Sequence, residues 1–143
     1  MGLIKKLYGK KIFLDTAPLI YFMEDDGNFS FLLNDLFSLS NNCRFVTSVV
    51  TLSEVLVVPL REGRTQLAKQ YEEILTMSEN IEIFDINIEI AKETAKIRAD
   101  HSVKTPDAIQ LATAKYDFAD YFLTNDLRLK SFKDLNVITL SDL

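Results

Sequence analysis

Apolar residues along the chain fall into two alternating patterns, short continuous runs and longer stretches with helical spacing. Residues 11–15, Lys-Ile-Phe-Leu-Asp, form an apolar run that ends on an acid, and this reads as a buried strand. Pro18 fits the first turn of a helix reaching to about residue 23. Asp25, Asp26 and Gly27 read as a turn, and Phe29, Leu32, Leu33, Leu36 and Phe37 are spaced for a helix over 29–39. A second strand is predicted at 44–47. Segment 49–60 follows it without a turn residue, is too long for a typical strand, and is predicted as a helix ended by Gly63. Leu67, Tyr71, Ile74 and Leu75 share one face of a helix over 66–77. A third strand is expected at 81–84, and Asn87 can cap a helix to about residue 99. Thr105 as N-cap and Pro106 as first helical residue open a helix to about 116. A fourth strand at 121–124, a short helix at 127–132 and a fifth strand at 137–140 complete the series.

Strands that are apolar on both faces and alternate with helices call for an α/β fold with a mostly parallel sheet of about five strands, covered on both sides. No repeat or Gly/Ser linker divides the chain, so residues 1–143 are expected to form a single domain. Hydrophobic residues make up 48% of the sequence and charged residues 26%, the balance of a soluble globular protein. The formal net charge is −5, so the chain as a whole does not attract polyanions. With one cysteine, Cys43, and one histidine, His101, an intramolecular disulfide and a Cys- or His-rich metal site are both excluded. The amino-terminal segment has no apolar stretch suited to a signal peptide. Segment 49–60 is too short to span a membrane and carries Glu54, so the expected location is cytoplasmic, with no membrane association.

The informative residues are carboxylates in apolar company. Asp15, Glu54 and Asp107 are each the only charge in an otherwise uncharged segment, and Asp126 follows the fourth predicted strand directly. Removing a lone ionised carboxylate from water costs several kcal/mol even after relaxation, so four such placements need a common reason. Each acid also has a structural reading: Asp15 and Asp126 can cap the helices that follow them, and Asp107 in a first helical turn complements the helix dipole. In a doubly wound sheet, however, ligands bind at the carboxyl ends of the strands. Asp15, Glu54 and Asp126 are expected along that edge, and Asp107 joins them if its helix starts there. Clustered carboxylates stay ionised together around a hard cation. Oxygen donors without histidine or cysteine favour Mg²⁺ or Mn²⁺, an arrangement suited to phosphodiester hydrolysis.

Four segments carry a resemblance. They are Ile12-Phe-Leu-Asp15-Thr16; Ser48-Val-Val-Thr-Leu-Ser-Glu54; Thr105-Pro-Asp107-Ala-Ile-Gln-Leu-Ala-Thr-Ala114; and Phe122-Leu-Thr124-Asn125-Asp126. In that order and spacing the chain resembles a PIN domain, and at this length the VapC-type toxin of a toxin–antitoxin pair. The resemblance implies a three-layer α/β/α sandwich and a metal-dependent endoribonuclease leaving 5′-phosphate and 3′-hydroxyl ends. Asp15, Glu54, Asp107 and Asp126 would hold Mg²⁺ or Mn²⁺ and orient the attacking water. Thr16, Thr124 and Asn125 would support the site. Ala17 stands where the family often has a second small polar residue. The implied partners are an RNA substrate, a small antitoxin and a second copy of the chain. Bases near the acids that can guide RNA are Arg98, Lys104 and Arg128, with Lys10 and Lys11 near the first strand. The alternatives are an RNA-processing or decay nuclease of the same family outside any toxin system, and a receiver-like Mg²⁺-binding signalling module. The receiver reading needs an acid pair beside the first strand and a lysine after the last, and the sequence has neither.

Overall fold

The computed structural model describes residues 2–24, 38, 43–79 and 81–143. The turn at 25–27 and, apart from Ser38, the helix at 29–39 lie outside them. Five strands form one sheet: β1 (Lys11–Leu14), β2 (Arg44–Ser48), β3 (Ile81–Phe84), β4 (Tyr121–Thr124) and β5 (Val137–Thr139). Their spatial order is β3-β2-β1-β4-β5 and every pairing is parallel. The helices are α1 (Gly2–Lys6), α2 (Thr16–Met23), α3 (Val49–Arg61), α4 (Thr65–Met77), α5 (Ile88–Asp100) and α6 (Thr105–Tyr116), with 3₁₀ turns at Leu127–Ser131 and Leu140–Asp142.

The period-two alternation of side chains in the strands builds two cores. Ile12, Leu14, Phe45 and Leu123 face Leu19 of α2, Val55 of α3, and Tyr71 and Leu75 of α4. Phe13, Val46 and Phe122 face Ile90 and Ile97 of α5, and Ala108, Leu111 and Ala112 of α6. Phe13 and Phe122 stack across β1 and β4, with ring centroids 5.2 Å apart and planes within 3°. The result is the expected α/β/α sandwich.

Helix starts account for most departures from the expected boundaries. Helix α2 begins at Thr16, ahead of Pro18, because the Asp15 side chain accepts the Thr16 amide and caps the first turn. Ser48 both ends β2 and caps α3 through the Val50 amide, so strand passes into helix with no turn residue between them. Gly63, at φ +70°, closes α3, and the Arg64 amide reaches back to the Pro59 carbonyl. Thr105 does not cap α6: the Ala108 amide bonds to the Lys104 carbonyl, so Lys104 is the capping residue and Thr105 already lies in the helix. The short helix α1 has no counterpart in the apolar pattern.

Candidate functional site

After β1 the chain moves outward through β2 to β3, then crosses back to lay β4 on the other side of β1. The order therefore reverses between β1 and β4, and a crevice opens there beyond the carboxyl ends of the strands. Asp15 directly follows β1 and Asp126 lies two residues past β4. Helix α6 leads into β4, so its first turn, which carries Asp107, lies at the same edge. Glu54 is in the second turn of α3, the helix that leaves β2.

Asp15 is the most constrained of the four. Its backbone amide donates to the Leu123 carbonyl at 2.9 Å. Its Oδ1 accepts the Thr16 amide at 2.9 Å and Gln110 Nε2 at 3.2 Å, and its Oδ2 accepts the Thr124 hydroxyl at 2.7 Å. Thr124 Oγ1 in turn accepts the Asp126 amide, linking the ends of β1 and β4 through one hydroxyl. Thr16 donates its hydroxyl to Glu54 Oε1 at 2.5 Å, which ties the start of α2 to α3. Asn125 is exposed and donates to Tyr21 Oη.

Asp107 feels the charge of the other acids. Its carboxyl is pushed above its ordinary value by burial first, then by the charges of Asp15 and Asp126, with Arg128 acting in the opposite sense and Glu54 adding to the rise. The four acids thus share one electrostatic neighbourhood, and the neighbourhood has negative charge to spare. Asp126 is held below its ordinary range, chiefly by Arg128, whose Nε and Nη2 donate to its two oxygens at 3.0 and 2.8 Å. Among the described residues, no three acidic, histidine or cysteine side chains converge closely enough to cage a metal ion. A hard cation that retains several of its own waters does not require a cage, and unrelieved repulsion at Asp107 among oxygen donors is the environment it relieves. The donor set fits Mg²⁺ or Mn²⁺ in charge and ligand type.

The bases expected to guide RNA divide by position. Lys104 and Arg128 line a cleft of about 260 Å³ together with Asp107 and Asp126. Arg98 instead donates its Nε to the Val103 carbonyl, 3.3 Å away, bracing the loop between α5 and α6. Lys10 and Lys11 belong to the opposite edge, because β1 is only four residues long and they stand at its beginning; Lys11 pairs there with Asp117. His101 packs edge-on against Phe132 at 5.1 Å in the wall of the cleft.

The sequence reading missed the polar layer beneath the acids. Gln110, 1% exposed, lies on α6 three residues after Asp107; Ser48 and Thr51, both fully buried, complete its surroundings. Its only signal in the sequence was a glutamine on the inward face of an otherwise apolar helix. The strand order also settles one alternative: receivers have the order 2-1-3-4-5, and this sheet does not.

Solved structures with the same fold include VapBC2 from Rickettsia felis, bound to a DNA fragment from its promoter. It is 16% identical, has a TM-score of 0.73, and the match covers 90% of this chain and 98% of that one. A toxin–antitoxin complex from Klebsiella pneumoniae is 23% identical with a TM-score of 0.69, covering 90% and 97%. VapC20 from Mycobacterium tuberculosis, a sarcin–ricin loop cleaving toxin, is 14% identical with a TM-score of 0.70, covering 85% and 95%. Among curated proteins, no sequence matches significantly. The family model described as PIN domain matches residues 12–135, nearly the whole chain, and with the sheet order and the acids at its switch point this decides the matter: the chain belongs to the PIN domain family.

Proposed function

We propose that the protein is a Mg²⁺- or Mn²⁺-dependent endoribonuclease and the toxin of a toxin–antitoxin pair. The observation that carries the reading is the gathering of Asp15, Glu54, Asp107 and Asp126 at the sheet's switch point, with the Asp107 carboxyl raised by burial and by the other three. Membership of the PIN domain family and the toxin–antitoxin complexes among similar structures support it. In this reading the four acids hold the cation, which when bound would acidify a water and offset charge on the scissile phosphate. Thr16 and Thr124 hold Glu54 and Asp15 in place, and Asn125 shapes the rim. Lys104 and Arg128 receive the RNA backbone in the cleft beside Asp107, so an acidic chain can still engage a polyanion locally. A small antitoxin would cover this edge, and the active form would be a cytoplasmic homodimer. Among the described residues, no helix is long and apolar enough to cross a membrane.

The test is cleavage of single-stranded RNA with Mn²⁺ and with a chelator, comparing the parent with Asp107→Asn, followed by sequencing of the cut ends. Cleavage at the parental rate by Asp107→Asn, or in chelator, would remove the reading. Induction in growing cells, with and without any small open reading frame found beside the gene, separates a toxin from a processing nuclease: only a toxin arrests growth in a way that such a frame relieves.

A further inference from the structure

The buried amide of Gln110 joins three elements at one point. Its Oε1 receives the Ser48 hydroxyl, and its Nε2 donates to Thr51 Oγ1 at 2.7 Å and to Asp15 Oδ1 at 3.2 Å. The direction of the amide is fixed by Asp15, whose carboxylate oxygens accept, so the nitrogen end faces it and both of its hydrogens are committed. The oxygen end then receives the Ser48 hydroxyl proton, while that hydroxyl oxygen accepts the Val50 amide as the cap of α3.

Asp15 can next be counted lone pair by lone pair. A carboxylate offers about two acceptor sites on each oxygen. Oδ1 is filled by the Thr16 amide and Gln110, while Oδ2 holds only the Thr124 hydroxyl. A single acceptor site on Oδ2 remains.

We infer that Gln110 is a positioning residue that confines Asp15 to one-oxygen binding of a cation and thereby sets the site's preference for Mg²⁺ over Ca²⁺. The inference rests on the proposed function, in which a cation sits among these acids. Mg²⁺ demands near-octahedral geometry with few protein oxygens. Ca²⁺ accepts more ligands and readily takes both oxygens of a carboxylate. Blocking Oδ1 therefore penalises the larger ion. Without the Gln110 donor, Oδ1 and Oδ2 each have a free site and the penalty is lifted.

The experiment measures dissociation constants for Mg²⁺ and Ca²⁺ by calorimetry on the parent, Gln110→Met and Thr51→Val. Thr51→Val removes the other acceptor of the same Nε2 and disturbs the same buried layer, but leaves the bond to Asp15. In Gln110→Met the Ca²⁺-to-Mg²⁺ ratio of dissociation constants should fall about tenfold, the scale on which partners of a metal ligand act. In Thr51→Val it should stay within about twofold of the parent. Ser48→Ala, which keeps the glutamine but releases its amide, should shift the ratio in the same direction by less; it carries the test if Gln110→Met does not fold. A ratio unchanged in Gln110→Met, or moved equally by Thr51→Val, overturns the inference while leaving the nuclease reading intact. A parent that binds neither ion overturns both.

Discussion

At the edge where the strands begin, acids meet bases. Asp117 lies 3.3 Å from Lys11 Nζ, Asp120 accepts the Lys11 backbone amide, and Lys115 sits between Glu93 at 2.5 Å and Asp134 at 3.2 Å. The Lys115 ammonium is held above its ordinary range, first by its bond to Glu93. At the edge where the strands end, Asp15, Glu54, Asp107 and Asp126 meet mainly hydroxyls, amides and one another. Among the described residues, Arg128 is the one base in an ion pair with any of them. The fold neutralises its carboxylates at one end, while at the other it leaves Asp15, Glu54 and Asp107 without an ion pair among the described residues. Burial and the neighbouring acids together raise the Asp107 carboxyl there.

The contrast breaks most visibly at Asp107. Asp107→Asn should lower RNA cleavage by roughly 10²–10⁴-fold, the range for a positioned catalytic or charge-stabilising group. Its effect on stability runs the other way. A carboxyl whose folded-state pKa is raised binds its proton more tightly in the native chain than in the unfolded one. Native stability is therefore lost as pH rises from the unfolded value through the folded one. In buffer free of divalent ions, Asp107→Asn should melt above the parent at neutral pH, with the gap closing below about pH 4. A variant less stable than the parent at neutral pH would mean that Asp107 is a structural acid after all.

Next in size is the response to metal. Mn²⁺ at 100-fold over its dissociation constant should stabilise the native chain by about 2.7 kcal/mol, on the order of 5–10 °C in Tm. Asp15→Asn should remove most of that gain. A silent binding domain with the same fold would show no gain at all.

The opposite edge gives the complementary result. Lys11→Met strands Asp117, whose Oδ2 already has no hydrogen-bond partner. It should cost about 1–3 kcal/mol by thermal melting while leaving cleavage per folded molecule unchanged. The smallest effect is expected at Arg128, whose side chain is 78% exposed. Arg128→Ala should leave the melting temperature nearly unchanged, while the Asp126 carboxyl, no longer held down chiefly by that guanidinium, titrates nearer its ordinary range by NMR.

What could be read from the sequence follows from the same physics. The bounds of β4 were legible because it is an apolar run fenced by polar residues and buried in a parallel sheet, and those of β3 because Ile81, Ile83 and Phe84 alternate with Glu82 at an edge of the sheet. The four acids were legible because an isolated charge in an apolar segment is costly wherever the segment lies. Gln110 was not. A neutral amide in a helix carries little penalty, and its partner Asp15 is 95 positions away, so only the folded chain brings the two together. The start of α6 was misplaced by one residue, since a threonine before a proline suits both a cap and a first turn. That Lys10 and Lys11 lie at the edge away from the acids was not legible, because nearness in sequence to Asp15 hides the length of the strand between them.

The central position of β1 carries a last consequence. The strand is hydrogen-bonded on both flanks, its apolar side chains are fully buried, and Asp15 hangs directly from its end. Backbone amides in such a place exchange with solvent only when the whole molecule opens, whereas β3 and β5 at the margins can fray without disturbing it. Control of this site by a mild local rearrangement is accordingly a poor prospect. On the proposed function, a separate body seated in the crevice would silence the site more readily than any shift of β1 itself.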